Sequence, residues 1–254
     1  MRVFYYIKNY KHTVTLLLSL FLIASLGFNF VYYKRIQDYS LSYAALKLDP
    51  FGLSINSSYN TSPDHSENAS PLAVLYGDSR AELWDAPNNI AGFRIINRGI
   101  SGQTSVQILG RFERQIAPLK PKVIILQAGI NDLRAMPLFP GIRDQAIITQ
   151  CQENLLSVIE KARELGVKVI VTTIFPLGYT DDSPATLRVK SAILTVNFFL
   201  QSLASRDVLI LDSAKVLSDQ HGNLLASYTD DGLHLNRKGY LALNDVLRNM
   251  LESI

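Results

Sequence analysis

Cysteine occurs once in this chain of 254 residues, at Cys151, so no intrachain disulfide can form. Cys151 falls on the apolar face of an expected helix, which makes it a buried structural thiol rather than a reactive one. No cluster of His, Cys, Asp and Glu has metal-ligand spacing, which disfavours a zinc or di-metal hydrolase, and no metal is expected. A glycine-rich phosphate loop is absent, as is any internal repeat, and no cofactor is implied. Runs of Lys and Arg are absent too. The formal charge is +3, and the first 35 residues hold Arg2, Lys8, Lys11, Lys34 and Arg35 with no acid. Removing those five leaves −2 for residues 36–254, so a nucleic-acid partner is excluded.

Charge is missing altogether from residues 13–33, where Leu, Ile, Phe and Val dominate. As a helix this stretch spans roughly 31 Å, about one hydrocarbon core. Tyr32 and Tyr33 stand at its end, as interfacial aromatics do. A cleaved signal peptide is the alternative, but its apolar region would be shorter and no small-x-small site follows Ala24. No later cysteine could carry a lipoprotein anchor. The expectation is an uncleaved, single-pass signal anchor. Arg2, Lys8 and Lys11 before the span against Lys34 and Arg35 after it favour a cytoplasmic N-terminus and an extracytoplasmic domain. The expected division is an anchor with flanks over 1–35, a linker over 36–70 and a folded domain over 71–254. Residues 34–48 extend the helical pattern until Pro50 disfavours it. Residues 51–71 are rich in Ser, Asn and Pro and read as an exposed linker, in which Asn56, Asn60 and Asn68 begin N-x-[ST] triplets.

Beyond the linker, apolar runs alternate with amphipathic stretches. Strands are expected at 72–76, 95–97, 123–126, 167–172 and 208–211, and helices at 104–117, 144–165, 184–204 and 237–251. The clearest helix carries one stripe of Ile147, Ile148, Cys151, Leu155, Ile159 and Ala162, stopped by Gly166. Ser183 precedes another as its N-cap. Such alternation argues for a mostly parallel sheet covered on both faces.

Four short segments carry chemistry. Gly77-Asp78-Ser79-Arg80 offers a hydroxyl just past an apolar strand, and Ser101-Gly102-Gln103-Thr104 offers a backbone N–H. Gly129-Ile130-Asn131-Asp132 offers a side-chain amide, and Asp231-Gly232-Leu233-His234 an imidazole with a carboxylate. Each alone has an ordinary explanation as a turn, a loop glycine or a helix cap. Together they are the parts of a serine-ester hydrolase. A serine hydroxyl needs an adjacent base at neutral pH, and histidine suits that task. A carboxylate orients the imidazole, and preset donors stabilise the tetrahedral oxyanion. Ser79, His234 and Asp231 fill the first roles; the N–H groups of Ser79 and Gly102 and the amide of Asn131 fill the last. The positive end of the last helix, near Asn236, disfavours an imidazolium, and Asp231 offsets it.

The smaller expectations are structural. Asp78 stabilises its turn and Asp132 caps or orients its loop. Asp230 neighbours Asp231, but the three-residue spacing to His234 favours Asp231. His12 flanks the apolar span, His65 lies in the linker and His221 in a turn, none with a visible partner set.

On these four blocks the chain resembles the SGNH/GDSL hydrolases. Ser79, Gly102, Asn131, and Asp231 with His234 match the blocks in order, over roughly residues 72–253. The resemblance implies a flavodoxin-like three-layer α/β/α fold, preceded here by one transmembrane helix, and a metal-free acyl-serine mechanism of the esterase, lipase and acetylhydrolase branch. Arg80 departs from the leucine of the family pattern and places a cation beside the nucleophile, where it could bind an acidic substrate. Met136 and Phe139, just past Asn131, could line an acyl subsite, or their proline-stiffened loop could simply pack on the domain. Expected partners are a small-molecule, lipid or glycan ester, and the membrane through the N-terminal helix. An O-acyltransferase using the same acyl-serine, and an inactive glycan-binding domain, remain alternatives.

Overall fold

The computed structural model describes residues 2–60, 70–178 and 183–254, in two compact units, Met1–Pro50 and Phe51–Ile254. His65 and Asn68 lie outside the described residues.

The first unit is a single helix, α1 (Arg2–Leu48). Its 47 residues run for about 70 Å, more than twice a hydrocarbon core. Leu16, Phe21, Leu26, Phe28 and Val31 are all exposed, and an apolar surface exposed all round suits lipid. The part from His12 to Leu48 is long and apolar enough to cross a membrane, a property that signal sequences share.

The second unit is built on a six-stranded sheet of β1 (Leu72–Gly77), β2 (Asn89–Ile90), β3 (Phe93–Gly99), β4 (Val123–Gln127), β5 (Lys168–Thr172) and β6 (Val208–Leu211), in the order β2-β3-β1-β4-β5-β6. All neighbours are parallel except the edge strand β2. Without β2 the order is that of a flavodoxin-like sheet. Pleating sends alternate side chains to opposite faces. Val74 and Tyr76 enter one core with Ile108 and Phe112 of α3 (Ser105–Gln115), Leu155 and Val158 of α5 (Asp144–Glu164), and Val196 of α6 (Pro184–Ser202). Ala73 and Leu75 enter the other with Leu243 and Leu247 of α8 (Arg237–Glu252). Three layers result.

Three differences from the sequence reading stand out. Short helices α2 (Ser79–Glu82), α4 (Ile130–Arg134) and α7 (Ser213–Leu217), and strand β2, have too few residues to show a period. Helix α1 continues through 36–48, as the helical pattern up to Pro50 leads one to expect, so the linker expected over 36–70 does not begin at 36. Residues 51–59 are not an exposed linker either: Phe51 and Tyr59 are partly buried, and Phe51 accepts a hydrogen bond through its carbonyl from Gln103 Nε2 at 2.9 Å.

The register sets up the site. Gly77 pairs with Gly99 on one side and Gln127 on the other, so β1, β3 and β4 end level and release their loops at one edge. Gly77 is required there, because a Cβ would fall 1.7 Å from the Gln127 carbonyl oxygen.

Candidate active site

Ser79 opens α2 directly after β1. Asp78 caps that helix, accepting from Arg80 N at 2.9 Å through Oδ1. Burial pushes the Asp78 carboxyl up to about 7, the nearby Asp132 adds to the rise, and Arg80 and Arg111 oppose it. Ser79 is itself nearly buried, and its Oγ lies 3.0 Å from His234 Nε2.

The imidazole is held by its own loop. Asp231 Oδ2 lies 2.7 Å from His234 Nδ1, while Asp231 Oδ1 accepts from Leu233 N at 2.8 Å and His234 N at 2.7 Å. One carboxylate oxygen thus builds the turn and the other lies against the ring nitrogen, so the same side chain can both cap the turn and orient the imidazole. Burial works to raise the Asp231 carboxyl, but the His234 N–H, its ring and the Leu233 N–H outweigh it and hold the group well below the usual carboxylate range. Asn236 caps α8 by accepting from Lys238 N and Gly239 N.

The second and third segments meet each other. Asn131 Nδ2 donates to the Gln103 carbonyl at 2.9 Å. Gly102 has φ +76°, a conformation that favours glycine. Ser101 N and Oγ both donate to Glu82 Oε2, and Gln103 N donates to the Ile100 carbonyl at 3.4 Å, so the N–H groups flanking the glycine are committed. Asp132 accepts from Ser105 N at 2.8 Å and Ser105 Oγ at 2.6 Å, tying α4 to the start of α3. Burial raises the Asp132 carboxyl against those bonds. Cys151 is buried, and burial pushes its thiol up.

Arg80 does not reach a cleft. It is fully buried, and its guanidinium donates to the Leu233 carbonyl at 3.1 Å and the Phe175 carbonyl at 2.9 Å, over the Phe175 ring. Burial lowers its pKa to about 10, with Asp78 opposing. Its role is to brace the nucleophile helix against the histidine loop. Met136 is likewise buried in the core, and Phe139 is half-exposed beside Arg143. The cavity next to Asp231 holds about 240 Å³ and is lined by Arg134, Pro137, Leu177, Ala185, Val189 and Leu233, with neither Met136 nor Phe139. A larger one of about 810 Å³, between α6 and α7, touches none of the triad. Among the described residues no group of three or more His, Cys, Asp or Glu could hold a metal ion.

Sequence reasoning missed Gln103 and Arg111 as parts of this site. Arg111 is fully buried and donates to Gln103 Oε1 at 2.6 Å, Gln115 Oε1 at 2.8 Å and the Gly77 carbonyl at 2.8 Å. The available signal was a cation three residues after Ile108, on the apolar stripe of α3.

Residues 74–242 match the model of the GDSL-like lipase/acylhydrolase family. The chain belongs to that family. This GDSL-like chain is 37% identical over 79 residues to the esterase TesA of Pseudomonas aeruginosa, covering 31% of the chain and 35% of the esterase. It is 26% identical over 94 residues to an acetylxylan esterase of Geobacillus stearothermophilus, 37% of the chain and 43% of that enzyme. The chain thus spans less than half the length of these curated relatives. A GDSL-like lipase from Bacteroides thetaiotaomicron has the same fold, with a TM-score of 0.61 at 20% identity over 80% of this chain and 98% of its own.

Proposed function

We propose that this protein is a membrane-anchored carboxylic ester hydrolase that works through an acyl-serine intermediate. The observation that carries the reading is the relay Ser79 Oγ, His234 Nε2 at 3.0 Å, and His234 Nδ1 to Asp231 Oδ2 at 2.7 Å, beside loops released at one sheet edge. His234 takes the Ser79 proton as the hydroxyl attacks the ester carbonyl, and Asp231 steadies the imidazolium that forms. The N–H groups of Ser79 and Gly102 and one N–H of Asn131 receive the oxyanion, the other Asn131 N–H being held by Gln103. The alcohol leaves with the proton from His234. Water, activated by the same imidazole, then releases the acid.

The 240 Å³ cavity beside Asp231 is lined by none of Ser79, His234, Gly102 and Asn131, so its size does not set the acyl length. We favour short acyl groups, such as acetyl esters of glycans, over long lipid chains. The acetylxylan esterase relative is consistent with this choice. The all-round apolar α1 supports a membrane helix, the length of the uncharged run and the lack of a small-x-small site after Ala24 support an uncleaved anchor, and the basic residues before the span support an extracytoplasmic domain. Within that division we assign 71–254 as the catalytic domain, with 51–59 folded onto it. The test is hydrolysis of a series of esters from acetyl to palmitoyl, with Ser79→Ala as control. Ser79-dependent turnover that falls with acyl length is expected; turnover that survives Ser79→Ala overturns the mechanism.

A further inference from the structure

We infer that residues 51–59 are a positioning strap for the oxyanion loop, with Phe51 as its main element. This rests on the ester-hydrolase reading of the same site. The segment lies outside the stretch that matches the family, and it begins three residues after α1 ends.

The strap grips the loop at both ends. Tyr59 Oη donates to the Gly99 carbonyl at 3.4 Å, and the Arg98 guanidinium sits 4.6 Å from the centre of the Tyr59 ring. Gly99 is the last residue of β3, just before the loop. At the other end the Phe51 ring packs on α3 at Gly110, where a Cβ would fall 2.3 Å from the ring. The Phe51 carbonyl accepts from Gln103 Nε2 at 2.9 Å. Between them the segment closes on itself, with Asn56 N and Nδ2 both donating to the Gly52 carbonyl.

The Gln103 amide has only one way to turn. Arginine can donate but not accept, so Oε1 must face Arg111, and Nε2 is left aimed at Phe51. The backbone carbonyl of the same residue accepts from Asn131 Nδ2. Gln103 therefore stands between Arg111, the strap, the Asn131 amide and, one residue away, the Gly102 N–H. Loosening the strap releases one side of Gln103 and lets both oxyanion donors drift. Donors set for the transition state act on kcat more than on KM.

The experiment uses the full chain in detergent, with a short-chain ester as substrate and hydrogen exchange of residues 99–104 as a second readout. Phe51→Ala is expected to lower kcat about tenfold with KM nearly unchanged, and to speed exchange in 101–104. Gln103→Glu keeps an oxygen toward Arg111 but removes the donor to Phe51, and is expected to do the same. Their double mutant should be little worse than either, since both cut one connection. Gly110→Ala supplies a variant with Phe51 retained: it favours the helix yet displaces the ring. A lower melting temperature with unchanged kcat and unchanged exchange in 101–104 overturns the inference. If the unmodified chain lacks Ser79-dependent turnover, the functional reading falls, and the exchange data still decide the strap.

Discussion

The two sides of the site are held by different physics. The nucleophile side is buried and held from far along the chain. Ser79 is nearly inaccessible, and its surroundings are fixed by Arg80 reaching Leu233 and Phe175 and by Arg111 reaching Gly77 and Gln103. The base side is open and held locally. The Asp231 side chain is 53% exposed and that of His234 30%, and the side-chain oxygens that shape the turn belong to Thr229 and Asp231, with Arg80 to Leu233 and Gly178 N to the Gly232 carbonyl as its ties to distant residues. The carboxylates follow suit: burial pushes Asp78 up to about 7, while local N–H donors hold Asp231 low. One side supplies rigid placement, and the other an accessible ionised partner for a proton carrier.

The largest effect comes from breaking the link between the sides. Ser79→Ala and His234→Ala should each lower kcat by about a thousandfold or more, and the double mutant should be little worse than either. Asp231→Ala should leave more activity, because the Ser79 to His234 contact survives it. Steady-state kinetics on a chromogenic short-chain ester measures all four. A double mutant whose losses multiply would show that the two sides act independently.

Asn131→Ala comes next and probes the buried side alone. It should lower kcat by about a hundredfold with little change in KM, since the amide meets the oxyanion only as it forms. An unchanged kcat would remove Asn131 from the oxyanion hole.

Arg80 joins the two sides, so its loss should be felt as both stability and rate. Arg80→Leu strands the Phe175 and Leu233 carbonyls, each at a cost of about 1–3 kcal/mol where it stays dry. The melting temperature should fall, and kcat should fall about tenfold by misplacing the His234 loop. The loss should be equal on a neutral and an anionic ester. A rise in KM confined to the anionic ester would instead restore a binding role for Arg80.

The same contrast explains what was legible in the sequence. The His234 side was legible because local turn chemistry has a local signature: a carboxylate three residues before an imidazole. So were the sheet and its covering helices, because strands buried on both faces read as continuous apolar runs and the helices carry stripes. The buried side was legible only in part. Ser79, Gly102 and Asn131 stand at strand ends, but the bonds that place them run from Arg80 to Phe175 and from Gln103 to Phe51, across 95 and 52 residues. A backbone carbonyl acceptor leaves no trace in residue identity. Arg80 therefore looked like a cation able to bind an acidic substrate, and 51–59 like a linker because its composition is polar.

The smallest effect tests the two carboxylates. A native carboxyl raised from 3.8 to about 7 binds its proton more tightly than the unfolded chain does. The stability this confers is full below pH 3.8 and is lost as pH rises toward 7. Asp231 has the opposite sign, since a lowered pKa adds stability that is present above the ordinary carboxylate range and lost only in stronger acid. Between pH 5 and pH 8 the change in stability thus comes from the buried side. Asp78→Asn keeps an oxygen to accept from Arg80 N and carries no charge at any pH. Relative to the unmodified chain, its melting temperature should shift upward from pH 5 to pH 8, whatever its offset at pH 5. Asp231→Asn should show no such drift in that window, because Asp231 is ionised throughout it. Melting curves of the three proteins at the two pH values measure both. A constant gap for Asp78→Asn would mean that Asp78 is already ionised at pH 5, and that Arg80 and Arg111 offset its burial more fully than the geometry suggests.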